Sequence, residues 1–243
     1  LCNNNRIRIL PEWVGSLPLT EFNMFNNKVL HLPESLCNLK ECSRLNLAAN
    51  VFMKLEPPVV KHWTNVVCLN IYDCRILNLA PLGHLKTLEQ LRAFNNNLTA
   101  LPDFGGAVMP KLNLLEIGRN RIEALPLSFF KCVPALVKLH LDHNLIDSVP
   151  SGINCPNLEW FVLADNKLTS IPPDLPLLPK LRVLMLNANA LGSLPETIVQ
   201  AKTLKRVNLA RNHQLTQTSM HLLVSIKKTC VSNGGQYWAP DSL

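Results

Sequence analysis

The sequence predicts an α/β solenoid, a curved coil of about ten turns with a parallel β-sheet on its concave face and short helical, 3-10 or extended returns on its convex face. Two observations predict this class. Hydrophobic residues make up 47% of the 243 residues but aromatic residues only 6%, so repeated aliphatic layers have to fill the core. One apolar motif also recurs along almost the whole chain, which is typical of stacked repeats.

The repeated motif is LxxLxLxxNxLxxLP, and its central asparagine is called the anchor below. In the copy around Asn144, the apolar slots and the proline are Leu136, Leu139, Leu141, Ile146, Val149 and Pro150. The anchors lie 22 to 24 residues apart and are Asn5 in a truncated first copy, then Asn27, Asn50, Cys74, Asn96, Asn120, Asn144, Asn166, Asn189 and Asn212. One copy cannot bury its own leucines, so neighbouring copies must stack.

Each repeat is predicted to contain three elements in order. The x-L-x-L-x segment before the anchor favours a short strand whose leucines point into the core. The anchor marks a tight turn, where a side-chain amide can satisfy buried backbone groups. A proline six residues later starts the return. It is Pro11, Pro33, Pro102, Pro126, Pro150, Pro172 or Pro195, and it lies one residue later at Pro57 and Pro81.

These features resemble the leucine-rich-repeat proteins, specifically the intracellular 23-residue type with LPxxLxxLxxL returns that occurs in Ras-pathway scaffolds. The resemblance covers nearly all of residues 1–215. It implies a solenoid that binds a partner, but it does not imply which partner, because this architecture serves many different ligands.

The two ends of the chain are predicted to differ from the repeats. Residues 1–215 form the solenoid and residues 216–243 a C-terminal helical cap of the same domain. Thr218 is expected to cap a helix from about 219 to 229. The inward residues of that helix are predicted to be Met220, Leu222, Leu223 and Ile226. The tail from Gly234 to Trp238 should cover the last repeat. Because the chain opens inside a repeat, we expect sequence N-terminal to residue 1.

The eight cysteines favour a reducing compartment. Cys2, Cys42 and Cys132 replace apolar residues of the motif and Cys74 replaces an anchor, so we interpret them as buried thiols and not as a disulfide framework. The cytoplasm is therefore the predicted location. A secreted or surface-exposed protein is the alternative, since Asn97-Leu98-Thr99 is a glycosylation sequon. No run approaches the roughly 18 apolar residues of a membrane span, so no membrane insertion is predicted.

The residues two, four and six before each anchor should point to solvent on the concave face. In the N-terminal half these columns contain aromatic rings at Phe25, Tyr72 and Phe94 beside the asparagines Asn23, Asn46 and Asn70. A row of amides beside rings can hold an extended peptide. The alternative is that the asparagines only keep the sheet soluble.

A second concave patch is predicted in the C-terminal half, where the same columns turn apolar. Its members are Trp160, Val162, Val183 and Met185. Exposed apolar surface with a tryptophan favours a contact site. The alternative is that residues 236–243 cover Trp160.

The leading hypothesis is a non-enzymatic interaction module or scaffold without a cofactor, which binds a protein or extended peptide. Its predicted partner-binding residues are Phe25, Asn46, Asn70, Tyr72, Arg92, Phe94, Glu116, His140, Trp160, Val162 and Met185. One alternative is a recognition domain of a larger signalling enzyme. Catalysis in this chain has a single candidate, a weak metal site at His140, Asp142 and His143.

A further alternative is an acidic or phosphate-bearing ligand, because the net charge is +7 and cations concentrate in the C-terminal repeats. The cations of this rim are Lys180, Arg182, Lys202, Lys205, Arg206 and Arg211. Without interleaved aromatic residues or a nucleic-acid motif, nucleic acid is disfavoured. The sequence predicts no particular oligomeric state.

Overall fold

A computed structural model describes residues 2–215 and 220–240 of the protein. Ten parallel strands form one open sheet, and each strand pairs with the next one along the chain. The strands are β1 (Glu21–Asn23), β2 (Arg44–Asn46), β3 (Cys68–Asn70), β4 (Gln90–Arg92), β5 (Leu114–Glu116), β6 (Lys138–His140), β7 (Trp160–Val162), β8 (Val183–Met185), β9 (Arg206–Asn208) and β10 (Gln236–Trp238). This confirms the predicted solenoid and its parallel sheet.

The helical segments lie between the strands and after β9. They are α1 (Pro57–Val60), α2 (Leu127–Cys132) and α3 (Met220–Ser232). Short 3-10 helices occur at Glu12–Ser16, Glu34–Asn38, Ala80–His84, Phe104–Gly106, Leu175–Leu177 and Glu196–Gln200. Between β6 and β7 the return is extended. The returns are thus helical, 3-10 or extended, as the sequence predicts. None of the described helices is long and apolar enough to cross a membrane.

The strands are shorter than the five-residue segments that the motif predicts. At the two ends of the sheet, the segments that form strands also differ from those that the motif predicts. Nine strands come from repeats, and the tenth, β10, is the tail, which pairs with β9. In the truncated first copy, Cys2 N and Asn4 N donate to Asn23 O and Phe25 O at 3.1 and 2.8 Å, although the structure assigns no strand there. The tail therefore takes the position in the sheet that the strand of one further repeat would occupy.

The core consists of the motif's apolar slots. Leu139 and Leu141 of one repeat are fully buried, and corresponding residues stack on both sides. Trp63 is fully buried, and its Nε1 donates to Leu36 O at 2.9 Å in the 3-10 helix Glu34–Asn38. A buried indole N–H left without a partner would cost about 1–3 kcal/mol. This bond therefore lets the indole ring stay in an apolar interior.

The anchor asparagines join the backbone segments of two consecutive repeats. Nδ2 of Asn50 donates to Met24 O and Leu47 O at 3.1 and 2.9 Å, while its Oδ1 accepts from Val29 N at 3.1 Å. Cys74 replaces the amide by donating its thiol to Leu47 O at 3.3 Å. Burial raises the pKa of Cys74 to about 12, so the thiol keeps the proton that it donates. Sequence reasoning correctly placed these residues at the turn.

The residue before each anchor has a left-handed backbone conformation, which the motif did not reveal. From Asn4 to Arg211 all ten of these residues have φ between 50 and 59°. Only Asn, Asp and Gly adopt this region at low cost, yet Ala49, Arg119 and His143 do so here. The stacked backbone bonds impose the conformation and so fix the direction of this outer row of side chains.

The cap is packed against the last repeat. Leu222, Leu223 and Ile226 of α3 are buried as predicted, but Met220 is 46% exposed and was wrongly assigned to the inward face. It lies on the opposite side of the helix from Leu222 and Ile226. The predicted Thr218 cap falls outside the described residues. At Gly235 a Cβ atom would lie 1.7 Å from Lys205 O, so only glycine allows the tail to pair with β9.

Candidate functional site

The parallel register aligns the concave side chains into rows that run across the sheet. One row pairs Asn70 with Arg92, Arg92 with Glu116, and Glu116 with His140. It continues through Val162 to Met185. All eleven predicted partner-binding residues lie on this face, and each is partly buried, so none belongs to the core.

The N-terminal and central part of this face contains a groove of about 460 Å³. The residues that line it are Asn70, Tyr72, Arg92, Phe94, Glu116, His140 and Asp142. Six of them are among the predicted site residues. Asp142 was considered only as a metal ligand. The groove spans β3 to β6, so four repeats contribute to one surface.

Aromatic and charged side chains organise the groove. The rings of Phe25 and Tyr72 lie 6.1 Å apart, above the fully buried Ala48. Arg92 Nε lies 3.2 Å from Glu116 Oε2, and the guanidinium of Arg119 lies 5.4 Å from the centre of the Phe94 ring. These contacts hold long side chains in place, which reduces the entropy that a partner's binding would have to offset.

His140 has an unused polar atom. Its Nε2 is buried and has no hydrogen-bond partner among the described residues. Burial lowers the pKa of His140, although Glu116 and Asp142 oppose the shift. The imidazole is therefore neutral at physiological pH, and its buried Nε2 can meet a ligand only after the side chain moves.

Gly118 makes room for the carboxylate of Asp142. A Cβ atom at Gly118 would lie 2.7 Å from Asp142 Oδ1. The same column has alanine at Ala48, Ala164 and Ala210, so the fold itself does not require glycine here. The missing side chain thus shapes the floor of the groove.

The concave asparagines are only half available to a peptide. Oδ1 of Asn23 accepts from Phe25 N at 3.0 Å, and the equivalent bonds of Asn46 and Asn70 are 3.4 and 3.3 Å long. Each concave amide therefore has one of its two polar atoms already engaged. Oδ1 accepts the backbone N–H of the residue two positions later, and Nδ2 remains as the donor. Asn46 and Asn70 also line a second hollow of about 260 Å³.

The C-terminal patch is smaller than predicted. Val183 is 3% exposed because it lies between the larger Trp160 and Arg206 in the register. Leu114, in the same column and also expected to be solvent-facing, is buried too. Trp160 stays partly exposed and has Lys138 Nζ 5.0 Å from its ring centre.

The tail does not cover this patch within the described residues. Strand β10 pairs with β9, which places it three strands from the β7 residue Trp160, a distance of about 14 Å. The tail instead adds Trp238, 40% exposed, in register with Asn208. Sequence reasoning missed this concave residue because it belongs to no repeat.

The suspected metal site does not assemble. His143 Nδ1 lies 2.6 Å from Asp165 Oδ2 on the outer row, turned away from His140 and Asp142. Within residues 2–215 and 220–240, no three His, Cys, Asp or Glu side chains are placed to hold a metal ion. The groove accordingly offers hydrogen bonds and apolar surface.

Two cations of the basic rim are engaged by neighbouring side chains. Lys180 Nζ donates to Asn157 Oδ1 at 2.8 Å, and Arg182 lies 3.6 Å from Glu159. No ion pair involves Lys202, Lys205 or Arg206 in the described part of the chain. The free cations are therefore concentrated at the last repeat.

Comparison with known proteins identifies the repeats. The leucine rich repeat family model matches residues 86–146 and 155–226. Human podocan-like protein 1 is 30% identical over 217 residues, which cover 85% of this chain and 41% of that protein. Mouse leucine-rich repeat serine/threonine-protein kinase 1 is 29% identical, with 83% of this chain and 10% of that protein covered. The chain thus spans less than half the length of these relatives.

Solved structures confirm the fold. A leucine-rich-repeat protein of Leptospira interrogans superposes with a TM-score of 0.63 at 26% identity, over 94% of this chain and 70% of that one. The plant peptide hormone receptor RGFR1 in complex with RGF2 gives 0.58 at 23% identity, over 88% and 45% of the two chains. At that level of identity the second likeness concerns the fold alone.

Proposed function

The chain belongs to the leucine-rich-repeat family, and from that premise we propose that it is an interaction module that binds a protein or an extended peptide on its concave face. The groove between β3 and β6 carries this proposal, because it presents the rings of Tyr72 and Phe94 beside the polar side chains of Asn70, Arg92 and Glu116. Aromatic residues are enriched at interfaces. A movement of His140 that brings Nε2 to a ligand would also remove the cost of a buried polar atom without a partner.

The proposed contact surface has two parts. In the groove, Tyr72 and Phe94 provide apolar area while Asn70 donates from Nδ2, and Arg92, Glu116 and His140 provide polar groups. Phe25 and Asn46 extend it towards β1, and Trp160, Val162 and Met185 extend it beyond β6. The complex of the receptor RGFR1 with RGF2 supports a polypeptide as the ligand class for this architecture.

Capture of a partner from native lysate tests the proposal. Replacing Tyr72 and Phe94 by alanine should reduce capture at least about tenfold, because two ring contacts of hot-spot size are lost. A matched control replaces Leu30 and Leu77, exposed residues on the outside of the coil, by alanine. Equal capture by the two double variants would show that the concave face is not the binding surface.

We further propose that this chain performs no catalysis itself. Its groove is open, Arg92 and Glu116 engage each other, and no serine or cysteine is among its lining residues. Titration calorimetry with zinc tests this proposal. The His140→Ala substitution should abolish no zinc binding. A recognition role within a larger signalling enzyme remains compatible with the mouse kinase relative, most of which lies outside the matched part. Any kinase, ligase or phosphatase activity would then belong to an attached domain.

The cytoplasm is the proposed location, and the intracellular 23-residue type the proposed subtype. All eight cysteines are free thiols, as expected in a reducing compartment. The proline-led 3-10 returns also match the LPxxLxxLxxL pattern. Counting reactive thiols in unreduced, unfolded protein isolated from cells should give eight. Fewer thiols, or a glycan on Asn97, would favour the secreted alternative.

We also propose that the cap and the repeats form a single domain, residues 1–215 with 216–243. The contacts of α3 with β9 and the pairing of β10 with β9 support this. One cooperative unfolding transition, seen equally by circular dichroism and by tryptophan fluorescence, is the expected result. Separate transitions would show that the cap and the repeats are different domains.

A further inference from the structure

The C-terminal end of the protein is uniformly basic. From Thr197 to Pro240 the sequence contains no Asp or Glu but six Lys or Arg residues, against a net charge of +7 for the whole chain. The six cations, all exposed, are Lys202, Lys205, Arg206, Arg211, Lys227 and Lys228. None of them forms an ion pair within the described residues. Their field is therefore not cancelled locally.

Helix α3 has a second apolar stripe on its outer side. Met220, Val224 and Val231 are 46%, 62% and 62% exposed. At about 100° per residue these three lie within about 40° of one another, opposite the buried Leu222 and Ile226. Lys227 and Lys228, both exposed, lie on the two sides of the stripe. An exposed apolar strip between two lysines is typical of a contact surface.

The structure holds this helix firmly in place. Near its start, His221 Nε2 lies 3.2 Å from Glu196 Oε2. Just beyond its end, Asn233 Nδ2 donates to Lys202 O and Leu204 O at 2.9 and 2.8 Å. These bonds place Lys202 beside the C-terminal end of α3. The stripe and the two lysines thus form one preorganised surface, which we call the cap face, made of Met220, Val224, Lys227, Lys228 and Val231.

We propose that the cap face docks an acidic amphipathic helix of a protein partner. Apolar side chains three and four residues apart on such a helix would lie along the stripe. Asp and Glu on their two sides would meet Lys227 and Lys228. This surface is separate from the concave groove, so a protein can occupy each independently.

Two other occupants fit the cap face less well. A helix that binds an anionic membrane inserts Trp, Phe or Leu between the lipids, whereas the exposed stripe offers only valine and methionine. Nucleic acid would place phosphates against the apolar stripe and gain few charge contacts there. Both occupants serve as comparisons in the experiment.

Binding of synthetic peptides to the full chain tests the proposal. The probe is a fluorescein-labelled helical peptide with leucines at i, i+4 and i+7 flanked by glutamates, and the matched peptide has glutamine for every glutamate. By fluorescence anisotropy at low salt, we expect the acidic peptide to bind at least about tenfold more tightly. Equal affinities would overturn the proposal. So would preferential binding to phosphatidylserine vesicles or to duplex DNA of matched charge.

Charge-reversal variants locate the site. Lys227→Glu with Lys228→Glu should weaken binding of the acidic peptide about tenfold or more, and Val224→Ser about threefold. Lys40→Glu with Lys61→Glu changes the net charge equally at exposed positions on earlier returns and should have less than about a twofold effect. An equal loss in both double variants would mean that only net charge matters, and would refute the cap face. The Tyr72→Ala variant should bind the acidic peptide as tightly as the wild type does. This result tests the cap face separately from the proposed binding in the concave groove.

Discussion

The anchor asparagines and the concave asparagines recur with the same period but have opposite surroundings. Asn50 is 3% exposed, and its amide joins backbone segments of two repeats through bonds to Val29, Met24 and Leu47. Four residues earlier, Asn46 accepts one bond of 3.4 Å from its own strand and keeps Nδ2 free. The same residue type therefore maintains the fold in one column and remains available to a ligand in the other.

The difference between the columns should appear most strongly in stability. Asn120→Ala is expected to lower the free energy of unfolding by about 3 kcal/mol, because Leu98 N and Ile117 O would each lose a buried partner. Asn70→Ala should change it by less than about 1 kcal/mol. Urea denaturation of both variants measures the contrast. Similar losses would mean that the two columns are equivalent.

A glycine pair extends the comparison to the backbone. Gly235→Ala would place a Cβ atom 1.7 Å from Lys205 O, so β10 must shift. The expected loss is about 1–3 kcal/mol in the free energy of unfolding. Gly192→Ala, where nothing lies within 4 Å of the new atom, should stay within about 0.5 kcal/mol. If Gly235→Ala is as mild as this control, β10 does not contribute to the fold as described.

The smallest expected effect is on the pH dependence of the free energy of unfolding, and it comes from His140. Burial lowers its pKa in the folded state, so the unfolded chain binds the proton more readily. Stability should therefore fall as the pH drops below about 6.5. Compared with His140→Gln, the wild type should lose more of its free energy of unfolding between about pH 7 and about pH 5. Parallel curves for the two proteins would contradict the burial of the ring.

The repeated part of the fold was predictable because each element is encoded locally. The anchor, two leucines and a proline recur within fifteen residues, so one copy such as that around Asn144 specifies strand, turn and return. The details that failed depend on neighbours in other repeats. Val183 occupies a solvent-facing slot but is buried between Trp160 and Arg206. The left-handed residue before each anchor carries no constant side chain, so the motif could not reveal it.

The candidate site was predictable to the extent that it follows from register. Asn70, Arg92, Glu116 and His140 were placed in one row because the anchors align them, and the structure gives the same order. The rest of the groove depends on features that spacing does not show. Gly118 contributes by lacking a side chain, and Arg119 reaches the Phe94 ring from the outer row. A signal was available at Gly118, where glycine interrupts a column that contains alanine in three other repeats.

Photo-crosslinking tests the central claim most directly. A photoreactive phenylalanine analogue would replace Tyr72 in the groove and, in a second protein, Leu30 on the outside of the coil, where the side chain is 54% exposed. After illumination in cells, position 72 should form a covalent adduct with a partner and position 30 should not. An adduct formed only at position 30, or equally at both positions, would contradict binding on the concave face.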